Sequence, residues 1–91
     1  MSLSIQFNSA RYDDDRQAVT IPAVDGDAQI TCLVTSVALN DRAGTSVDGE
    51  ALLIVLWSLR EEIGQLIETM YQLGEFTDKG EIWLTSRELF R

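Results

Sequence analysis

The dipeptide Asp25-Gly26 limits the fold more than any other feature of the sequence. It lies between two runs rich in β-forming residues, 18–24 and 27–36. Asp-Gly suits the two central positions of a type I′ turn, so we expect a β-hairpin here. Such a turn also sets the register, and it places these residues opposite each other: Ala23 and Ala28, Ile21 and Ile30, Val19 and Cys32.

Side chains alternate between the two faces of a strand, so the predicted hairpin can be checked against the hydrophobic pattern. The paired residues share one apolar face with Val34, whereas the other face is mostly polar and has Leu33 as its main apolar member. Pro22 has no amide hydrogen, so we expect its strand to lie at a sheet edge or to turn that position outward. The strand that contains Cys32 is then expected to pair with a further strand on its other side.

Two helices are predicted after the hairpin. Ser36 is a candidate cap for a short helix over 37–43, which Gly44 ends. The segment 45–48 fits the capping box of a second helix that runs to about Leu73, although Asp48 is an alternative cap. At 1.5 Å per residue this helix of about 26 residues is about 39 Å long. Its predicted buried stripe consists of Leu52, Leu56, Leu59, Ile63, Leu66, Ile67 and Met70.

The C-terminal segment 81–86 alternates like a strand, with Ile82 and Leu84 on one face. We expect it to lie beside the strand of Cys32. Near the N-terminus, Ile5–Phe7 is either a short first strand or an arm, and 8–16 is predicted to be a loop. The sequence therefore predicts one α+β domain over residues 1–91, in which a small antiparallel sheet packs against one long helix and one short helix.

Ile54, Trp57 and Trp83 are the candidate functional residues. Ile54 and Trp57 project onto the side of the long helix that carries Glu61, away from the leucine stripe. Trp83 lies on the outer face of its strand. Either other segments of the chain cover these side chains, or they stay partly exposed and bind another chain, since tryptophan is frequent at interface hot spots.

Most catalytic chemistries lack their required residues. The chain has no histidine, which removes triad-type hydrolysis, the common zinc and iron sites and the usual proton shuttle. Cys32 is predicted to face inward as a small buried hydrophobe. No glycine-rich loop joins a strand to a helix, and Asp13-Asp14-Asp15 lacks the alternating positions of a calcium loop. We therefore predict no catalytic residue, cofactor or metal site.

The charge of the chain excludes some partners. Fifteen acidic residues against seven basic ones give a net charge of −8, which disfavours direct binding to nucleic acid or to anionic membranes. The first residues do not resemble a secretory signal, and the longest apolar stretch, 51–57, is far short of the ~20 residues that span a bilayer. With one cysteine and no disulfide, we expect a cytoplasmic protein.

Three short motifs resemble a known family. They are Ala18-Val19-Thr20-Ile21-Pro22-Ala23, Ile30-Thr31-Cys32 followed by Ser36-Val37-Ala38-Leu39, and Gly80-Glu81-Ile82-Trp83-Leu84-Thr85-Ser86. The family is DUF1488, which consists of small bacterial proteins of unknown function, and the resemblance covers roughly residues 5–86. It implies a compact cytoplasmic α+β domain and brings no activity, cofactor or catalytic residue.

Three functional hypotheses follow. The leading one is a non-catalytic module that self-associates or binds a protein partner, with Ile54, Trp57 and Trp83 as its contact residues. The second is an acidic regulator that binds a basic surface on a nucleic-acid-binding protein. The third is an enzyme that works with carboxylates alone, such as Glu61 and Glu62 in a cleft. The sequence does not indicate a small-molecule ligand.

Overall fold

The structure is a computed structural model that describes residues 3–90. Met1, Ser2 and Arg91, which the predicted domain includes, lie outside the described residues. The strands are β1 (Ser4–Ile5), β2 (Arg11–Asp13), β3 (Ala18–Asp25), β4 (Ala28–Thr35) and β5 (Ile82–Leu84). The helices are α1 (Ser36–Ala43), α2 (Ala51–Ser58), α3 (Arg60–Leu73) and α4 (Ser86–Leu89), with a 3₁₀ turn at Phe7–Ser9.

The strands form one five-stranded sheet in the order β1-β3-β4-β5, and β2 also pairs with β3. The α+β class is confirmed, and β5 lies beside the strand of Cys32 as expected. The prediction of a wholly antiparallel sheet is wrong for β5, which runs parallel to β4. Three helices connect these two strands, and a crossover of that length lets the chain return in the same direction.

The hairpin forms, but its register differs from the predicted one by two residues. Asp25 pairs with Ala28, so the two loop residues are Gly26 and Asp27. Gly26 has a φ of +61°, as required at the first central position of a type II′ turn, where glycine is favoured. A shift of two residues preserves the alternation of side chains. The predicted apolar face is therefore confirmed, with Val19, Ile21, Cys32 and Val34 fully buried.

The surroundings of Pro22 differ from the expectation of an edge strand. Strand β3 has neighbours on both sides, because β1 and β2 pair with its outer edge. Thus Arg11–Asp13, predicted to be loop, forms a strand. Pro22 lies at the gap between β1 and β2, where its carbonyl accepts a hydrogen bond of 2.9 Å from the Gln6 amide. In an antiparallel strand the nitrogen of a residue points to the same side as its carbonyl, so the missing donor of Pro22 faces this gap.

The predicted long helix is divided into two helices. Leu59 has φ −105° and ψ +10° and separates α2 from α3. The Ser58 hydroxyl donates to the Val55 carbonyl at 2.8 Å, and Arg60 Nη1 donates to the Trp57 carbonyl at 2.6 Å. Such side-chain bonds to helix carbonyls accompany bends.

The ends of the helices match the predictions in part. Helix α1 is the predicted short helix, but its cap is Thr35, whose hydroxyl accepts from the Ala38 amide at 3.1 Å. The predicted capping box over 45–48 is wrong, because α2 begins only at Ala51. The Asn40 side chain instead bonds both the amide and the carbonyl of Val47, at 3.1 and 2.8 Å. Gly74 ends α3 with a φ of +71°, as predicted.

The core lies between one face of the sheet and the helices α2 and α3. The predicted leucine stripe supplies its helical side, with Leu52, Leu56, Ile63, Ile67 and Met70 buried. Leu59 and Leu66 are half-buried and pack against the same cluster. None of the helices in the described part of the chain is long and apolar enough to cross a membrane.

Substitution by alanine is expected to change the free energy of unfolding in opposite directions at Gly64 and at Gly74. Gly64 lies inside α3, where an added Cβ would be 3.5 Å from Phe7 Cζ, an ordinary contact. We expect Gly64→Ala to raise the free energy of unfolding by about 0.5–1 kcal/mol, because alanine favours a helix interior. Gly74→Ala, at positive φ, should lower it by about 1–2 kcal/mol. Urea denaturation of both variants checks this, and a destabilised Gly64→Ala would contradict the packing at Phe7.

Candidate interaction surface

Helix α2 presents two large apolar side chains to solvent. Its segment from Ala51 to Trp57 is entirely apolar, but a helix that packs from one side cannot bury its whole circumference. Leu52, Val55 and Leu56 enter the core, while Ile54 is 75% exposed and Trp57 is 51% exposed. The short helix α1, the segment Ile5–Phe7 and the segment Leu89–Phe90 were possible covers for these two side chains, but both side chains stay exposed. Ile54 and Trp57 are three residues apart and share one side of α2.

Arg60 stabilises the orientation of the Trp57 side chain. Its guanidinium carbon lies 4.3 Å from the centre of the Trp57 ring, a cation–π distance. The same guanidinium donates a hydrogen bond of 2.6 Å to the Trp57 carbonyl. The indole is therefore held against the start of α3 and remains half-exposed. Arg60 lies three residues after Trp57, so the sequence contained the signal for this contact.

Carboxylates flank the exposed apolar pair at both ends. Glu50 precedes Ile54 by four residues, and Glu61 follows Trp57 by four, just past the break at Leu59 at the start of α3. Both carboxylates are exposed. We call the set Glu50, Ile54, Trp57, Arg60 and Glu61 the α2 face.

A groove adjoins the α2 face. It has a volume of about 600 Å³ and lies between Ile5 and Phe7 on one side and the first half of α3 on the other. Gly64 opens it, because an ideal Cβ there would lie 3.5 Å from Phe7 Cζ and 3.9 Å from Ile5 Cδ1. Glu61 and Glu68 line the groove, and Arg60 and Glu61 belong also to the α2 face. This Gly64 groove therefore adjoins the α2 face through these two shared residues. Gly64 is not among the candidate residues of the sequence analysis, although an isolated glycine inside a helical pattern is a signal of such a close approach.

Trp83 lies on a different part of the molecule. Ile82 and Leu84 point into the core, so Trp83 projects from the opposite face of the sheet, away from the helices. It is half-buried, and its Nε1 donates to Glu81 Oε1 at 3.1 Å. Glu81 also binds Arg16 at 2.9 Å, and these bonds hold the pKa of its carboxyl below its ordinary value. The structure thus brings Ile54 and Trp57 together and leaves Trp83 apart from them.

Cys32 and the Glu61–Glu62 pair are the remaining candidates for chemistry. Cys32 is fully buried, and this burial raises the pKa of its thiol to about 12. Glu62 bonds Arg42 through both carboxylate oxygens, at 2.6 and 2.7 Å, and these bonds lower its pKa. Of these two glutamates, only Glu61 lines the groove. Within residues 3–90, no three cysteine or acidic side chains converge as a metal site requires.

An interaction that the sequence did not indicate joins the hairpin to α3. The Tyr71 hydroxyl donates a short hydrogen bond to Asp25 Oδ2, across 46 positions of the chain. This bond raises the pKa of Tyr71 above its ordinary value of 10.0, with smaller contributions from desolvation and from the Asp25 charge. The ring of Phe76 packs edge-on against Tyr71 at 5.8 Å. The contact depends on the register of β3, in which Asp25 is the last residue.

The fold and this surface define a small α+β domain with a mixed sheet, helices over one of its faces and an exposed apolar pair beside an acidic groove. The family model described as "Protein of unknown function (DUF1488)" matches residues 5–84, and the chain belongs to this family. This confirms the resemblance carried by the three sequence motifs.

A crystal structure shares the fold. It is that of a protein of unknown function from the DUF1488 family of Shewanella loihica, with a TM-score of 0.83. The match covers 92% of this chain and 94% of that chain, at 21% sequence identity. No protein with a curated description matches the chain.

The pKa of Cys32 predicts an inert thiol. A rise from 9.0 to about 12 lowers the thiolate fraction near neutral pH roughly a thousandfold. We expect no measurable reaction of the native protein with Ellman's reagent at mildly alkaline pH, and complete reaction after denaturation. The double variant Cys32→Ser, Ala28→Cys carries an exposed thiol at the hairpin and should react at once. Rapid labelling of native Cys32 would contradict its burial.

The Tyr71–Asp25 bond predicts a change of stability with pH. The pKa of Tyr71 is raised in the folded protein, so the bond stabilises the fold fully below pH 10.0 and loses this effect as pH rises through the raised pKa. Tyr71→Phe should therefore be less stable than the wild type at neutral pH, and the difference should shrink at strongly alkaline pH. Denaturation across this range measures it, with Tyr12→Phe as a control for loss of a phenol. A difference that stays constant with pH would refute this role.

Proposed function

We propose that this protein is a non-catalytic interaction module that binds another polypeptide chain through the α2 face. The observation that carries the proposal is the exposure of Ile54 and Trp57, at 75% and 51%, side by side on one helix. A tryptophan held in place before binding loses little conformational freedom on association, and Arg60 holds Trp57 in this way. Such anchored aromatic residues are typical interface hot spots.

The remaining exposed apolar residues fit this role less well. Val37 and Leu73 belong to other helices and do not line the groove. Phe90 lies beneath the Arg42 guanidinium, 5.9 Å from its carbon. Phe76 packs against Tyr71. Ile54 and Trp57 therefore form the best candidate for the apolar centre of an interface.

The chemistry of the chain also supports a binding role. Without histidine, and with a neutral buried thiol, carboxylates are the only abundant side chains for acid–base work. Glu62 is bonded to Arg42 and Glu81 to Arg16. A free, buried cysteine suits a reducing compartment, so we place the module in the cytoplasm.

Site-specific photo-crosslinking in the producing cells tests the proposal. A photoreactive phenylalanine at position 54 should form a crosslink to one defined protein, identified by mass spectrometry, and Trp57→Glu should abolish it. Position 73 is the matched control, since Leu73 is an exposed apolar residue at the other end of α3. Trp57→Glu should keep the native circular dichroism spectrum, because its side chain contributes little to the core. Equal crosslinking at both positions, or none at position 54, would remove the proposal.

A further inference from the structure

The α2 face and the Gly64 groove have the chemistry to hold one class of partner. We infer that they bind a basic amphipathic segment, in which an apolar side chain lies between lysines or arginines. This inference rests on the proposed function and specifies the partner.

The apolar part of the surface has room for an anchoring side chain. The floor of the groove consists of Phe7 and Ile5 at the position where Gly64 has no side chain. Arg60, whose guanidinium packs on Trp57, lines the same groove, which is open to solvent. An aliphatic or aromatic side chain of the partner enters this groove, and its neighbours pack on Ile54 and Trp57.

The charged part of the surface favours a cationic partner. Glu50 and Glu61 are exposed at the two ends of the apolar pair, and Glu68 lines the groove. Glu68 Oε1 accepts a bond of 3.2 Å from the Leu3 amide, so its second oxygen remains for a partner. Arg60 is the cation of this surface, and its guanidinium is already placed on Trp57. The whole chain carries a charge of −8, so its long-range field favours cationic partners in general.

The same carboxylates disfavour a second copy of this chain as the occupant. Two α2 helices that pair antiparallel with Ile54 against the second copy's Trp57 bring Glu50 against the second copy's Glu61. Parallel pairing sets each glutamate against itself. Both arrangements bring like charges together at both ends of the apolar contact, which costs free energy. A segment with cations at those positions replaces the repulsion with attraction.

Two synthetic helical peptides test the inference directly. They share one pattern of leucines and differ in their polar positions, which are all lysine in one and all glutamate in the other. Fluorescence anisotropy should show that the lysine peptide binds the wild type at least about tenfold more tightly, and that added salt weakens its binding. Equal affinity for the two peptides, or no binding of the lysine peptide, overturns the inference.

Variants with matched charge separate this site from general attraction. The double variant Glu50→Lys, Glu61→Lys should weaken binding of the lysine peptide by about tenfold or more. Asp27→Lys with Asp78→Lys changes the net charge equally, at exposed positions in the β3–β4 turn and in the loop that follows α3, and should weaken it far less. Gly64→Met should block the groove and weaken binding, whereas Leu73→Met, at an exposed position outside the groove, should retain it. A control double variant that loses as much affinity as the site variant overturns the inference.

Failure of the inference is distinguishable from failure of the proposed function. Light scattering of the wild type and Trp57→Glu reports self-association. A dimer that Trp57→Glu dissociates means that a second copy occupies the surface, which overturns the inference and supports the interaction module. A defined crosslink at position 54 without binding of the lysine peptide also overturns the inference and supports the interaction module. Absence of both a crosslink and a dimer overturns the inference and the proposed function together.

Discussion

The fold depends on one apolar layer, which closes between the β3–β4 hairpin and the paired helices α2 and α3. Val19, Ile21 and Cys32 supply its sheet side, and Leu56 and Ile63 are among the residues of its helical side. Only one side of α2 reaches this layer, although α2 is apolar all round its circumference. The exposure of Ile54 and Trp57 is therefore a consequence of how the core closes.

The break at Leu59 gives the surface its shape. Beyond it, α3 continues in a direction that brings Gly64 against Phe7 and places Arg60 on Trp57. Arg60 therefore belongs both to the α2 face and to the groove beside α3.

The charged residues divide into two groups. Arg42–Glu62 joins α1 to α3, and Arg16–Glu81 joins the segment before β3 to the one before β5. Both pairs are partly exposed and screened by solvent, so each contributes little to stability. Within residues 3–90, Glu50, Glu61 and Glu68 form no such pair. Glu50 and Glu61 lie before and after the exposed apolar pair along the chain, and Glu68 lines the groove. This separation, more than the net charge, is the basis of the cationic partner that we propose.

The sequence by itself determined the α+β class, the hairpin faces, the leucine stripe, the end of α3 at Gly74 and the place of β5 beside Cys32, because alternation, helical spacing and turn residues are local patterns. It also singled out Ile54 and Trp57 as residues that break the helical pattern. Only the tertiary structure decided the hairpin register, the division at Leu59, the Tyr71–Asp25 bond and the separation of Trp83 from α2. These depend on which side chains meet in the folded chain, and a local pattern of residue types does not specify that.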